Sequence, residues 1–365
     1  MVTRILWPSL LVLLGHAPSA AGQSTPILHE PLSTSRQGRE QSSLLVFDNE
    51  STDDLPEGIQ VRGEVLERPP FRDLGAAEAD GTRTTRFRMA TDARPDRDTE
   101  QEGELKYQAV FQPSVIPFKR GMTLNQVHGD GSLGLPETGL REMEVVGNVP
   151  GRDREIFWGE LMVELQGGKP VPIPSVSPDS RILSYETRPP TSLDFLQDDA
   201  QNLFVRSREA GQFHLVFLTD APRSWFGGIL DDVGERRDEV TATVPSELRR
   251  EAIKVAERLG IVESTSWRRA LDILVTHFRS FRSGTLEEDS GNTLTDVVLS
   301  RRGVCRHRSH WFVVIARSLG IQARYIHNEA HAFVELKRPT TAGEWLRIDL
   351  GGDAERLRLA PRSVL

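Results

Sequence analysis

The chain's 365 residues include one cysteine, Cys305, and it lies in a strongly basic stretch. The stretch is RRGVCRHRSHW, residues 301–311, in which four arginines and two histidines surround the thiol. A single cysteine cannot form a disulfide within the chain, so it is a buried inert residue, an intermolecular link or a reactive thiol. Nearby positive charge stabilises the thiolate, which is the nucleophilic form of cysteine. The basic neighbours therefore favour a reactive thiol.

A helix is predicted to begin at Cys305. Apolar residues after it recur at the spacing of one helical face, and Gly320 ends the pattern. These residues are Phe312, Ile315, Ala316 and Leu319. Cys305 lies seven residues before Phe312 and therefore on the same face. We expect the thiol at the N-terminus of a buried helix, where free N–H groups and the helix dipole also favour the thiolate.

A thiolate nucleophile needs a base and a residue that orients the base, and two downstream strands supply candidates. Three strand-like runs follow Gly320: IQARYIH (321–327), HAFVEL (331–336), which begins with His331, and WLRIDL (345–350), which contains Asp349. Antiparallel pairing of these strands would place His331 beside Asp349. A helix packed against them would then bring Cys305 to His331, which gives the Cys–His–Asp arrangement of nucleophilic acyl transfer.

Each candidate also has a structural interpretation. His331 alone could be a satisfied histidine within a strand, and Asp349 could form a salt bridge with Arg347 or Arg356. Cys305 alone could be a small buried hydrophobic residue. The presence of all three in this order favours the catalytic interpretation.

Three further histidines lie close to the thiol or to the candidate base: His307, His310 and His327. With Cys305 they could form a metal site, but their spacing is not that of a zinc site. We therefore predict no metal ligands and no cofactor. His307 and His310 are expected on the helix surface or beside the substrate.

Four short features follow one another in the last third of the chain. They are a Gly-x-Cys at a helix start, a helix-end motif, a histidine followed by an aromatic residue, and an aspartate after a tryptophan: GVC (303–305), ARSLGIQAR (316–324), HAF (331–333) and WLRID (345–349). This ordered set resembles the core of the transglutaminase-like superfamily. The resemblance extends over about Pro245 to Asp353.

The resemblance implies a papain-like α+β domain with Cys305 as nucleophile, His331 as base and Asp349 as the residue that orients the imidazole. It implies acyl transfer through a thioester, from a carboxamide or peptide bond of a protein or peptide substrate. The superfamily also contains cysteine peptidases, amidases and inactive members. Hydrolysis and a non-catalytic exported binding or assembly module are therefore the alternatives.

The chain departs from the superfamily pattern at two positions, and both leave the substrate class open. His307 stands where many members have an acidic residue, and Leu350 stands where proline is common. The oxyanion of an acyl-transfer intermediate would be bound by the Cys305 backbone N–H. Asn292 and Asn328 are candidates for the second donor.

The elements that precede this core change character at about residue 245. The runs SELRREAIKVAERLG (246–260) and WRRALDILVTHFRSF (267–281) have helical apolar periodicity. The preceding residues, 102–244, contain short β-prone runs separated by Gly, Pro and Asp turns, which predict a β-sandwich-like domain. Those runs are KYQAVF, REMEVVG, EIFWGELMVEL, NLFVRSR, FHLVFL and DEVTATV.

The N-terminal residues predict export. Residues 1–22 contain Arg4, then an apolar run from Ile5 to Leu14, then small residues, which is the layout of a secretory signal peptide. The apolar run is too short to span a bilayer, so no membrane anchor is expected after cleavage. The predicted location is periplasmic or secreted.

Composition completes the predicted domain organisation. Residues 23–101 are poor in large apolar side chains and predict a mostly disordered, acidic linker, with short ordered pieces near SLLVFD and GIQVRGEVL. A β-rich domain (102–244) and a transglutaminase-like domain (245–365) follow. The net charge is -8. From Ser246 onward it is +5, with 20 basic against 15 acidic residues, and the remainder, with 25 basic against 38 acidic residues, carries -13. The acidic part argues against nucleic acid as the main partner, and the excess in the C-terminal part is too mild to reverse that.

Overall fold

The computed structural model describes residues 44–46, 55–61, 63–71, 89–136, 139–226, 244–287, 289–338 and 344–360. The predicted signal peptide and much of the predicted linker lie outside these residues. The described part is mixed α/β, with several β-sheets and four α-helices. None of the helices in this part is long and apolar enough to cross a membrane.

The two short ordered pieces predicted in the linker form a small antiparallel sheet. Its strands are β1 (Leu44–Val46), β2 (Gly58–Val61) and β3 (Glu64–Glu67). Residues 89–101 of the same predicted linker are also described, and they contact the helices of the C-terminal third. Arg97, for example, forms an ion pair with the buried Asp296 at 2.6 Å.

Residues 92–222 contain thirteen strands, and five of the six β-prone runs coincide with them. The sixth, DEVTATV, lies outside the described residues except for its last residue. The strands are β4 (Asp92–Ala93), β5 (Glu104–Gln108), β6 (Phe111–Gln112), β7 (Met122–Leu124), β8 (Gln126–Val127), β9 (Leu133–Gly134), β10 (Arg141–Met143), β11 (Arg154–Gln166), β12 (Val171–Ile173), β13 (Arg181–Arg188), β14 (Asp194–Gln197), β15 (Leu203–Arg206) and β16 (Ala210–Pro222).

Two four-stranded sheets dominate this region, in the orders β10-β14-β15-β12 and β13-β16-β11-β6. Strands β11 and β16 pair along their full lengths, and their alternate residues point into one apolar cluster. Phe157 and Phe217 from that pair share the cluster with Phe195 and Val205 of the other sheet. Burial of these side chains stabilises the contact between the two sheets.

The predicted helices are confirmed. They are α1 (Ser246–Arg258), α2 (Trp267–Arg279) and α4 (Cys305–Ser318). A short helix that was not predicted, α3 (Thr293–Ser300), lies between α2 and α4. The Ser266 side chain caps α2 by accepting a hydrogen bond from the Arg269 N–H. Twelve of the fourteen residues of α4 are buried, because helices lie on one side of it and a sheet on the other. Its middle, residues 311–316, is apolar, whereas its first two turns bury polar side chains, including His307, Arg308 and His310.

The sheet beside α4 has the order β19-β18-β17-β7 and is antiparallel throughout. Its strands β17 (Ala323–His327), β18 (Ala332–Lys337) and β19 (Trp345–Ile348) confirm the three strands predicted after Gly320. Strand β7 comes from residues that the sequence analysis assigned to the β-rich domain. A last strand, β20 (Arg356–Ala360), pairs in parallel with β5, so hydrogen bonds join the two regions at a second place.

A buried cluster of charges lies between the same two regions. The Glu335 carboxylate on β18 accepts hydrogen bonds from Arg120 Nε at 2.7 Å and from Arg324 Nε at 2.5 Å. Both guanidinium groups also donate to backbone carbonyls at Ala200 and Gln201, which lie between β14 and β15. Burial lowers the pKa of Arg324 to about 10, so its guanidinium stays charged at neutral pH.

Candidate active site

Cys305 is the first residue of α4, as the sequence predicted. Gly303 lies two residues before it at φ +150°, and a Cβ at that position would lie 2.7 Å from the Cβ of His307. Glycine is therefore required for the chain to enter the helix this closely. The thiol side chain is buried, with 9% of the residue exposed.

His331 lies directly before β18, and Asp349 lies directly after β19, at the same end of this antiparallel pair. The His331 Nε2 atom is 3.1 Å from Asp349 Oδ1. Burial alone would lower the pKa of His331, but Asp349, Asp353 and the Cys305 thiol together raise it well above its ordinary value. The structure therefore brings the three predicted residues together. The imidazole is held in its charged form beside the thiol.

Asp349 is held ionised by its neighbours. Burial opposes the charge, but the hydrogen bond with His331 and the nearby imidazolium lower the pKa of the carboxyl group. The Gly351 N–H also donates to Asp349 Oδ1 at 2.9 Å. The ion pair formed by Asp349 is thus with His331, while the Arg347 guanidinium stacks on the Phe118 ring at 3.9 Å.

The loop that presents His331 is fixed by Asn328. The Asn328 side-chain oxygen accepts from the backbone N–H groups of Ala330 and His331, at 3.0 and 2.9 Å. Its amide nitrogen donates to the carbonyls of Pro117 and Lys119. Asn328 was a candidate oxyanion donor, but these contacts use its amide hydrogens and give it a structural role.

The other candidate donor, Asn292, is also used structurally. It is the N-cap of α3, and its side-chain oxygen accepts from the Thr295 N–H at 3.1 Å. Capping of this kind satisfies an N–H group that has no partner within the helix. The Cys305 N–H, predicted as the first oxyanion donor, donates to the Gly352 carbonyl at 2.9 Å.

Asp353 is a site residue that the sequence analysis did not identify. Its Oδ1 atom lies 2.5 Å from His331 Nδ1, so the imidazole has a carboxylate against each ring nitrogen. One ligand atom each from His331, Asp349 and Asp353 lies within 4.8 Å of the others, which is a spacing that metal ligands can have. An ion would have to displace a direct contact between the histidine and a carboxylate.

The predicted surface position of His307 and His310 is wrong, because both residues are buried. Residues 90–96 cover this side of α4, and His307 Nε2 lies 2.8 Å from Asp96 Oδ1. His310 Nε2 contacts the Gly131 carbonyl at 2.7 Å, and burial lowers the pKa of His310 to about 4. These two histidines, with His327, line a cavity of about 230 Å³ next to the first turn of α4.

Arg308 connects three parts of the site. Its buried guanidinium donates to the carbonyls of Phe281, Gly303 and Leu350, at 2.7, 3.2 and 2.8 Å. It therefore ties the end of α2 and the residue after Asp349 to the helix that carries Cys305. The sequence indicated only its charge, since the three carbonyl partners come from distant or irregular segments.

Replacing Arg308 by lysine is expected to lower the free energy of unfolding by about 2–4 kcal/mol, because the single ammonium nitrogen of lysine cannot reach three separated carbonyls and buried carbonyls lose their partners. Urea unfolding measures the change. The matched control is Arg250→Lys on α1, where the guanidinium is exposed and lies 3.5 Å from Glu247. A change in the Arg308 variant as small as in this control would contradict the prediction.

Comparison with known proteins identifies part of the chain. Residues 262–350 match the family model of the transglutaminase-like superfamily. The chain carries a transglutaminase-like domain. The matched residues of this domain include Cys305, His331 and Asp349, whereas Gly352 and Asp353 lie just beyond them. The resemblance inferred from the ordered motifs is thus confirmed.

Solved structures similar to the chain share little sequence with it. The periplasmic domain of TgpA from Pseudomonas aeruginosa, bound to ethylmercury, is 14% identical with a TM-score of 0.44. The match covers 72% of this chain and 95% of that domain. The putative cysteine protease of Cytophaga hutchinsonii is 16% identical with a TM-score of 0.29, and the match covers 55% and 79% of the two chains. No curated protein matches this chain.

Proposed function

We propose that this protein is a thiol acyl-transfer enzyme that cleaves a carboxamide or peptide bond through a thioester on Cys305. The observation that carries the proposal is the His331 imidazole, placed beside the thiol with Asp349 at 3.1 Å from its far nitrogen. The position of Cys305 at the start of α4 adds the electrostatic support of a helix N-terminus. Asp349 would hold the imidazole in the tautomer and orientation that face the sulfur.

The reaction has two steps that conserve charge and atoms. The Cys305 thiolate attacks the carbonyl carbon, and the tetrahedral oxyanion is stabilised by the Cys305 N–H once that group is free. The carbon–nitrogen bond then breaks, and His331 gives its proton to the leaving ammonia or amine. In the second step an amine or water attacks the thioester, His331 takes its proton, and the thiolate leaves.

The β-rich region supplies no chemistry in this proposal. Its two four-stranded sheets pack through one apolar cluster, which supports the prediction of a β-sandwich-like domain. We assign it the role of a spacer or of a surface on which a protein or peptide substrate docks. The layout of residues 1–22 supports export, and the N-terminal sequence of the mature protein tests it.

The test uses a glutamine-containing peptide together with a labelled primary amine. Mass spectrometry of the quenched wild-type protein should show the acyl group on Cys305, and Cys305→Ala should show none. The matched control is Ser309→Ala, on the same helix, whose buried hydroxyl forms no hydrogen bond with the described residues and has no part in the proposed chemistry. This control should form the acyl-enzyme as the wild type does.

The reaction products distinguish an acyltransferase from a hydrolase. Incorporation of the labelled amine identifies acyl transfer, whereas release of free acid identifies a hydrolase of the same fold. Acylation that persists in Cys305→Ala contradicts the assignment of the nucleophile. If neither the wild type nor the variants Asp353→Ala and Gly352→Ala form an acyl-enzyme with the peptide, the protein would be a binding or assembly module.

A further inference from the structure

The residues directly after Asp349 lie against the candidate active site. We define the site loop as residues 350–354, with the sequence LGGDA. It contacts both members of the Cys–His pair. Its Gly352 carbonyl accepts the hydrogen bond from the Cys305 N–H at 2.9 Å, and its Asp353 carboxylate lies 2.5 Å from His331 Nδ1.

The hydrogen bond to the Gly352 carbonyl occupies the Cys305 N–H, which an acyl-transfer intermediate would need. An oxyanion hole acts through N–H groups aimed at the oxygen of the reacting carbonyl. Here the Cys305 N–H already has a carbonyl oxygen at hydrogen-bond distance, and that oxygen belongs to the chain itself. A substrate carbonyl can use this N–H only after Gly352 has moved.

The contact with Asp353 occupies the His331 imidazole, which is the other member of the Cys–His pair. His331 Nε2 faces Asp349, so Nδ1 is the nitrogen left to exchange a proton with the Cys305 thiol. Asp353 Oδ1 lies against Nδ1 and competes with the thiolate for the imidazolium charge. The two contacts come from adjacent residues of one loop, and each occupies a different group that the chemistry needs.

The loop is shaped and anchored for this close approach. Gly352 has φ +86°, and a Cβ there would lie 2.7 Å from the Cys305 nitrogen and from Arg308 Nε. Gln101 Nε2 donates to the Asp353 carbonyl at 2.6 Å, and the Glu355 N–H donates to the Glu102 carbonyl. Strand β20 then continues beside β5. The segment before β5 therefore holds the loop in place from outside the site.

We propose that the site loop keeps the active site closed. Its Gly352 carbonyl lies where the oxyanion of the substrate would bind, and its Asp353 carboxylate lies against the His331 imidazole. Substrate, or a partner that displaces the loop from Gln101, must move both residues before Cys305 reacts. This regulation rests on the proposed function of the same site. The loop, rather than the triad alone, then determines when the thiol is available.

The rate of alkylation by iodoacetamide tests the proposal, because the thiolate displaces iodide only when reagent reaches the sulfur. Asp353→Ala is expected to alkylate about tenfold faster than wild type at pH 6.5, since the ion pair that holds the loop is lost. The matched control is Glu355→Ala. Its carboxylate is exposed two residues further along the chain, and its rate should equal that of wild type.

A second variant tests the backbone contact. Gly352→Ala places a methyl group 2.7 Å from the Cys305 nitrogen, which is too close for the loop to keep its position, so alkylation should accelerate as in Asp353→Ala. Exchange of the Cys305 amide hydrogen with D2O should also become faster in both variants. This readout remains informative if a variant is less stable, because the amides of β11 report global unfolding in the same sample.

The outcomes separate loop regulation from the proposed function. Equal or slower alkylation and exchange in both variants would overturn the loop proposal, even if the wild type forms an acyl-enzyme with the glutamine peptide. Faster alkylation without an acyl-enzyme in any variant would support the loop proposal and overturn the enzymatic function. Faster alkylation together with faster acyl-enzyme formation supports both.

Discussion

Replacing His331 by asparagine is expected to lower kcat/KM for amide cleavage by about 10⁴-fold or more, as in other enzymes whose nucleophile and base act as a unit. In the proposed mechanism the imidazole holds the proton taken from the thiol and later gives it to the leaving amine. It is fully buried between Asp349 and Asp353, so water cannot readily replace it. Single-turnover formation of the acyl-enzyme measures the effect on the first step directly.

His327→Asn is the matched control for this substitution. His327 lies four residues earlier at the end of β17, and its Nε2 atom contacts the Ala90 carbonyl at 3.0 Å. Burial lowers the pKa of His327 to about 4, so it is neutral at the pH of the assay. The control should keep kcat/KM within a few-fold of wild type. A smaller loss in His331→Asn than in His327→Asn would remove His331 from the mechanism.

Replacing Glu335 by glutamine is expected to lower the free energy of unfolding by about 3–5 kcal/mol, because it leaves two buried guanidinium groups without their counter-charge. Arg120 and Arg324 lie on either side of this carboxylate, and both are about 1% exposed. A domain is stabilised by only about 5–15 kcal/mol in total, so this loss is large. Urea unfolding, followed by the shift of its midpoint, measures it.

Glu344→Gln is the control for the charge cluster. Glu344 makes a partly exposed ion pair with Arg338 at 3.9 Å, and such pairs contribute about 0–1 kcal/mol. The control should therefore unfold close to wild type. A change below about 1 kcal/mol in Glu335→Gln would mean that the cluster does not stabilise the contact between the C-terminal sheet and the β-rich region.

The local elements of the C-terminal third follow from the sequence. Apolar spacing predicts α1, α2 and α4, and alternation predicts β17, β18 and β19, because these patterns depend on residues within a few positions of each other. The order of the elements then places Cys305 at the start of α4, His331 before β18 and Asp349 after β19, and these three ends lie together in the fold. That is why these three residues could be chosen before the fold was seen.

The surroundings of the three residues depend on contacts between distant segments, and no local pattern encodes them. Asp96 reaches His307 across 211 positions of the chain, so the burial of that histidine was not predictable. Asn328 is polar and adjacent to the site, yet its amide is used by the segment around Lys119.

The sequence by itself therefore determined the helices and strands of the last third, which follow from periodicity. Its ordered motifs, through their resemblance to the transglutaminase-like superfamily, indicated the family and the three candidate catalytic residues. Only the tertiary structure decided which groups contact them. Gly352 and Asp353 read as an ordinary polar turn in the sequence, but the turn after β19 directs them onto Cys305 and His331. The backbone path after β19, which Gly352 and the hydrogen bond from Gln101 set, decides which groups contact Cys305 and His331.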